Sequence, residues 1–69
     1  MKKLKVVFVV THGELHEGGR VVSVHKDKED AIKAALAVKP CFAGGWVAEE
    51  ENFWVNGCDF VEVKEETVL

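Results

Sequence analysis

DKEDAIKAALAV, residues 27–38, carries the period of a helix, whereas the other apolar runs of the chain carry that of strands. Ala31, Ile32, Ala35, Leu36 and Val38 recur at three- and four-residue spacing and share a face, with Lys28, Glu29 and Lys33 turned away. Asp27 is placed to accept from the free amides of the first turn, and Asp30 stands where the acidic half of a capping box belongs. Glu29 and Asp30 also set negative charge at the positive end of the helix dipole. Lys39-Pro40 ends the segment, because a residue ahead of proline is pushed out of the helical region. A face rich in alanine can lie close against a sheet, so this helix is expected to cover one face of a sheet built by the rest of the chain.

Upstream, Leu4 to Thr11 (LKVVFVVT) is β-branched and aromatic throughout. Leu4, Val6, Phe8 and Val10 alternate with Val7 and Val9, so both faces are apolar, as in a central strand. His12 to Gly19 (HGELHEGG) is polar and predicts a connecting loop, with Gly18-Gly19 suited to the positive φ angles of a hairpin turn. Arg20 to His25 (RVVSVH) then returns as a strand, with His25 at its edge.

Downstream, CFAGG at 41–45 predicts a loop, with Phe42 expected to tuck under the helix end. Trp46 to Val55 (WVAEEENFWV) predicts a short strand, a bend or bulge at Glu49–Asn52, and a strand resuming at Phe53; a helical turn through the glutamates is the competing expectation. Asn56-Gly57 is a strong hairpin signal, both residues tolerating a type I′ turn. Cys58 to Lys64 (CDFVEVK) returns as a strand, and EETVL extends it or frays. The expected fold is α+β: one domain over residues 1–69, an antiparallel sheet of about four strands in the order β-β-α-β-β, the first strand central, and one helix packed on one face.

A chain of 69 residues buries only ~60% of the surface its unfolded form exposes, which leaves a small core and a thin stability margin. A substrate pocket is hard to carve from such a core, so catalysis is disfavoured and binding work is favoured. Cys41 and Cys58 are too few for a disulfide scaffold and lack zinc-site spacing; they are expected to be free, partly buried thiols in a reducing compartment. The opening MKKLKVVFVV imitates a secretory leader, but its apolar run is shorter than a leader core and far shorter than a membrane span. A cytosolic protein is expected.

Candidate chemistry is sparse. His12 and His16 are four apart with Glu14 and Glu17 beside them, a spacing that would share a metal on a helix but guarantees nothing in a glycine-flanked loop. Ser23 is mid-strand and lacks the tight elbow of a serine nucleophile. A Cys–His pairing would be no more than composition supplies. No cofactor, metal or catalytic residue is expected.

Charge is the more informative feature. Residues 1–43 hold eight basic against five acidic side chains, +3, and residues 44–69 hold one against seven, −6, giving the net −3. Glu49, Glu50, Glu51, Asp59 and Glu62 would form an acidic ridge on the second hairpin, interleaved with Phe53, Trp54 and Phe60. Either this is a solvated face, or the carboxylates imitate a row of phosphates and occupy a basic nucleic-acid channel on another protein. Direct nucleic-acid binding is disfavoured by the same charges. The expected partner-binding residues are Glu49, Glu50, Glu51, Trp54, Asp59 and Glu62.

THGELHEGGRVVSV at 11–24, followed by KEDAIKAA at 28–35 and closed by CDFVEV at 58–63, resembles small bacteriophage and prophage proteins. Those have an opening strand, a histidine-containing loop, an EGG turn, a second strand and an alanine-rich helix. The resemblance implies a β-β-α-β type of fold and a phage or mobile-element origin. In size, acidity and lack of catalytic residues the chain is also similar to anti-CRISPR proteins, a similarity of class that transfers no residue. It implies an inhibitor of a host defence complex, acting in the bacterial cytosol on a basic nucleic-acid-binding surface such as a CRISPR surveillance subunit. The alternative is a phage interaction or assembly module, a monomer or weak homodimer, that binds through Trp46, Trp54 and Phe60.

Overall fold

The computed structural model describes residues 5–68; Leu4, assigned above to a strand face, lies outside them. The elements are β1 (Lys5–Glu14), β2 (Gly18–His25), α1 (Lys28–Ala37), β3 (Val47–Glu50), β4 (Phe53–Asn56) and β5 (Asp59–Val68). They form one antiparallel sheet, ordered β2-β1-β5-β4-β3, with α1 packed across β1, β5 and β2. The expected α+β domain with one covering helix is therefore observed, with five strands in place of about four. The extra strand comes from the Trp46–Val55 stretch, which turns back on itself at Glu51–Asn52 instead of only bending. Asn52 takes the left-handed conformation there, at φ 60°, which asparagine tolerates better than most residues.

The frame is the β1–β5 ladder, which runs unbroken from Lys5 opposite Val68 to Glu14 opposite Asp59. It makes β5 the middle strand, with β1 beside it and flanked on both sides. β1 is longer than its apolar run because His12, Gly13 and Glu14 keep pairing with Arg20, Gly19 and Gly18 of β2 and with Val61, Phe60 and Asp59 of β5. The turn shrinks to Leu15–Glu17, and Gly18, at φ 79°, opens β2. Gly13 is required by proximity: a Cβ there would sit 2.2 Å from the Gly18 carbonyl oxygen. The second predicted hairpin is present but centred one residue later. Asn56 pairs with Asp59, and Gly57, at φ 62°, is the first turn residue in place of the second.

One face of the sheet is covered. Val10, Val61 and Val63 meet Ala31 and Ala35 of α1 in a buried cluster, with Phe8, Ile32, Ala34, Val38, Trp46 and Trp54 around it. Burying Val10 and Val61 contributes about 1.5–3 kcal/mol each. The alanines do what their size predicts and let the helix sit close to the strands. Leu36 does not join them and is 44% exposed, because the helix leans on Ala31 and Ala35 and carries Leu36 past the contact. Asp27 is the N-cap in backbone terms, its carbonyl accepting from Ala31 N–H at 3.1 Å, but its carboxylate makes no capping bond. Phe42 is not under the helix either; it is 58% exposed and lies over Gly57. Cys41 and Cys58 are both free and exposed, not partly buried.

Candidate protein-binding surface

Alternation along β1 sends Val10 into the covered face and Val9 to the other side, where no helix lies. Strand register then fixes what shares that open face. Val24 and Lys64 flank Val9; Val21 and Glu62 flank Thr11; Phe60 stands opposite Gly13. Phe60 continues the last row to Val55 and on to Val47, and Phe53 continues the Thr11 row from Glu62 to Glu50. The result is a broad apolar surface. Val7, Val9, Phe53, Val55 and Phe60 are half-buried, while Val21 is 60%, Val24 55% and Val47 58% exposed.

Phe60 anchors this surface. Its ring lies over Gly19, where an added Cβ would come within 3.0 Å of Cζ, and it stacks at a tilt on Phe53 with centroids 5.7 Å apart. The glycines Gly13 and Gly19 leave space on the hairpin that an aromatic from the neighbouring strand fills. Charge on the face is mixed: Glu62 and Glu50 stand in the Phe53 row, and toward the other end Lys64 and Glu66 approach to 3.9 Å and Lys5 opposes Val68.

The six residues expected at a partner surface do not form one ridge. Glu50 and Glu62 lie on the open face, either side of Phe53 in the same row. Glu49 occupies a register shift in β3, and Glu51, in the turn, pairs with Lys28 of the helix layer at 3.5 Å. Trp54 points the other way, opposite the buried Val61, and packs on the covered core. Asp59 is buried, and its carboxylate accepts from Cys41 N–H at 3.0 Å. The alternative patch is divided too. Trp46 covers the helix side, donating Nε1–H to the Val38 carbonyl at 2.8 Å, while Phe60 lies on the open side.

Asp59 works together with Asn56, whose role the hairpin motif did not reveal. The Asn56 side chain accepts from Phe42 N–H at 2.9 Å and donates to the Gly45 carbonyl at 2.7 Å. These two buried polar residues fasten the 39–46 connection over the end of the sheet that the helix does not reach. A shallow cleft of about 310 Å³ opens beside them, lined by His12, Glu14, Glu17, Arg20, Asp59 and hairpin glycines. His12 sits edge-on to Trp46, centroids 6.1 Å apart, with Nε2 3.9 Å from Asp59 Oδ2 and no hydrogen-bond partner among the described residues. Among the described residues no three His, Cys, Asp or Glu side chains converge to hold a metal ion. In this corner Asn56 and Asp59 hold the 39–46 connection.

No family model, curated protein or solved structure matches the chain. Among the described residues no helix is long and apolar enough to cross a membrane.

Proposed function

We propose that this chain is a protein-interaction module that works by docking through the open face of its sheet, without catalysis. One observation carries the proposal: the sheet is apolar on both faces and its helix covers one. Antiparallel sheets with a solvated face normally alternate apolar and polar residues. Here Val7, Val9, Val21, Val24, Val47, Val55, Phe53 and Phe60 occupy positions where polar residues would be expected. A contiguous apolar surface of this kind marks an interaction site or an aggregation liability. The test is association of the wild type, a Val21→Glu/Val24→Glu variant and a Leu36→Glu control, each checked for a native circular dichroism spectrum. Loss of association in the double variant with retention in the control is expected. Equal association by all three would sink the proposal.

A second reading keeps the acidic surface: an inhibitor of a host defence complex, an anti-CRISPR protein being one form, that docks on a basic nucleic-acid-binding surface. What favours it is the exposed Glu49–Glu51 run, with Glu62 in the same row as Glu50. Such docking would weaken steeply as salt rises, whereas docking through valines and phenylalanines would not. Salt dependence of any complex therefore separates the two.

A further inference from the structure

We infer that the partner seated on the open face is a second copy of this chain, two sheets stacking face to face about a two-fold axis with the helices outermost. The inference rests on the open face being the working surface and adds the identity of its occupant.

The core is the first argument. The buried apolar residues of the described chain are Val10, Ala31, Ala35, Val61 and Val63, two of them alanine. The molecule is elongated, 48 × 23 × 18 Å, with a radius of gyration of 12.8 Å; a compact domain of this length would have ~11 Å. It has two layers, one sheet and one helix, and the sheet's second face has no layer against it among the described residues. Stacking a second sheet ~10 Å away would turn the half-buried rows of Val9, Val55, Phe53 and Phe60 into a second core.

Area agrees with this. Only the Thr11 and Gly13 rows cross all five strands, the Val9 row spanning three and the Val7 row two; these fifteen positions, at ~4.8 Å by ~6.8 Å each, give a footprint of roughly 500 Å². That is about three-fifths of the ~800 Å² each partner of a standard interface buries, the size of a weak homodimer.

Charge selects the occupant. Over β1 and β5 the face carries Lys5 and Lys64 against Glu62 and Glu66, with Glu50 at the β3 edge. A face meant for nucleic acid would be basic, and one meant for a basic protein would be uniformly acidic. Along β5 Glu62 and Lys64 are neighbours on this face: a two-fold axis in the plane between the sheets, crossing the strands midway between them, sets each protomer's Lys64 over the other's Glu62. An isologous contact requires such a pattern. Edge-to-edge pairing through β2 is disfavoured, because the register shift between Val10 and Thr11 leaves Val22 as an extra residue, and a bulge twists an edge away from a partner.

The experiment combines sedimentation with site-specific photocrosslinking. A benzophenone amino acid replaces Val24 on the open face or Leu36 on the helix, and each protein is irradiated in producing cells and after purification. The inference expects a species of twice the 7.7 kDa chain mass at micromolar concentration and a self-adduct from position 24 but not 36. It also expects the Val21→Glu/Val24→Glu variant to dissociate about a hundredfold more readily, since four carboxylates would face one another. A monomer at hundreds of micromolar whose position 24 crosslinks to a different protein overturns the second copy and leaves the interaction module standing. A monomer with no adduct from position 24 overturns both.

Discussion

Val9 and Val10 are the same residue one position apart, and they live in different environments. Val10 is fully buried beneath Ala31 and Ala35; Val9 lies on the open face between Val24 and Lys64. The covered face is stabilised by contacts within the chain. The open face carries its own valines and phenylalanines, with Lys64, Glu62 and Glu66 among them, and has no covering layer among the described residues. Folding accounts for the valines of the first face, and docking is the proposed role of those of the second.

The sharpest way to break this comparison is to put the same charge on both sides. Val10→Asp would bury a carboxylate with no partner, at a cost of several kcal/mol that matches or exceeds the whole margin of so small a domain. Circular dichroism is expected to show an unfolded chain. Val9→Asp would place the carboxylate beside Lys64 in a row open to water, and a folded protein that no longer associates is expected. If both variants fold, or both unfold, the two faces are not distinct in the way described.

Next in size are the polar residues that complete the covered face. Asn56→Ala removes an acceptor for Phe42 N–H and a donor to the Gly45 carbonyl, and about 2–3 kcal/mol of destabilisation is expected. Asp59→Ala, which frees Cys41 N–H, is expected to cost about 1.5–3 kcal/mol. Urea denaturation measures both. Losses below about 0.5 kcal/mol would mean that the 39–46 connection is held by Trp46 packing instead.

The same contrast explains what was legible in the sequence. The helix, the β-β-α order and the Asn56-Gly57 turn region follow from local periodicity and turn chemistry, which need no knowledge of partners. The six residues divide between the two faces because charge alone does not reveal direction. Asp59 and Glu62 look alike in sequence, yet they are three apart on a period of two, so they point to opposite faces. Trp54 belongs with the core for the same reason, through its pairing with Val61. β1 looked too short because His12, Gly13 and Glu14 are poor strand formers whose pairing comes from β2 and β5. The open face was hidden in plain alternation: Val7 and Val9 signalled a strand apolar on both sides, which suggests burial on both, and the chain supplies one helix.

A smaller effect follows from linkage between folding and association. If two copies share a core, the melting temperature depends on protein concentration. For about 140 residues unfolding together, with an enthalpy of ~0.7 kcal/mol per residue, each tenfold dilution is expected to lower the midpoint by ~5 °C. The Val21→Glu/Val24→Glu variant is expected to melt at one temperature regardless of dilution. A wild-type midpoint equally insensitive to dilution would show that the open face adds nothing to folding.

The smallest expected effect concerns the glutamates. Glu49→Lys, Glu50→Lys and Glu51→Lys together replace three exposed carboxylates. The Lys28–Glu51 contact joins side chains that are 45% and 85% exposed, and such a pair is worth under ~1 kcal/mol. Stability is therefore expected to change by less than ~1 kcal/mol, with some repulsion between Lys28 and the new lysine at 51 that salt screens. Association through the open face should persist, because Phe53, Phe60 and the valines around them are untouched. Glu50 alone adjoins that surface, through its pairing with Phe53, and Glu50→Lys sets a lysine in the same row as Glu62, which does not weaken a contact made by the apolar rows. Sedimentation of the triple variant at low and at high salt makes the distinction. Unchanged association at both assigns the work to the apolar face; association lost at low salt would return the glutamates to the centre of the interface.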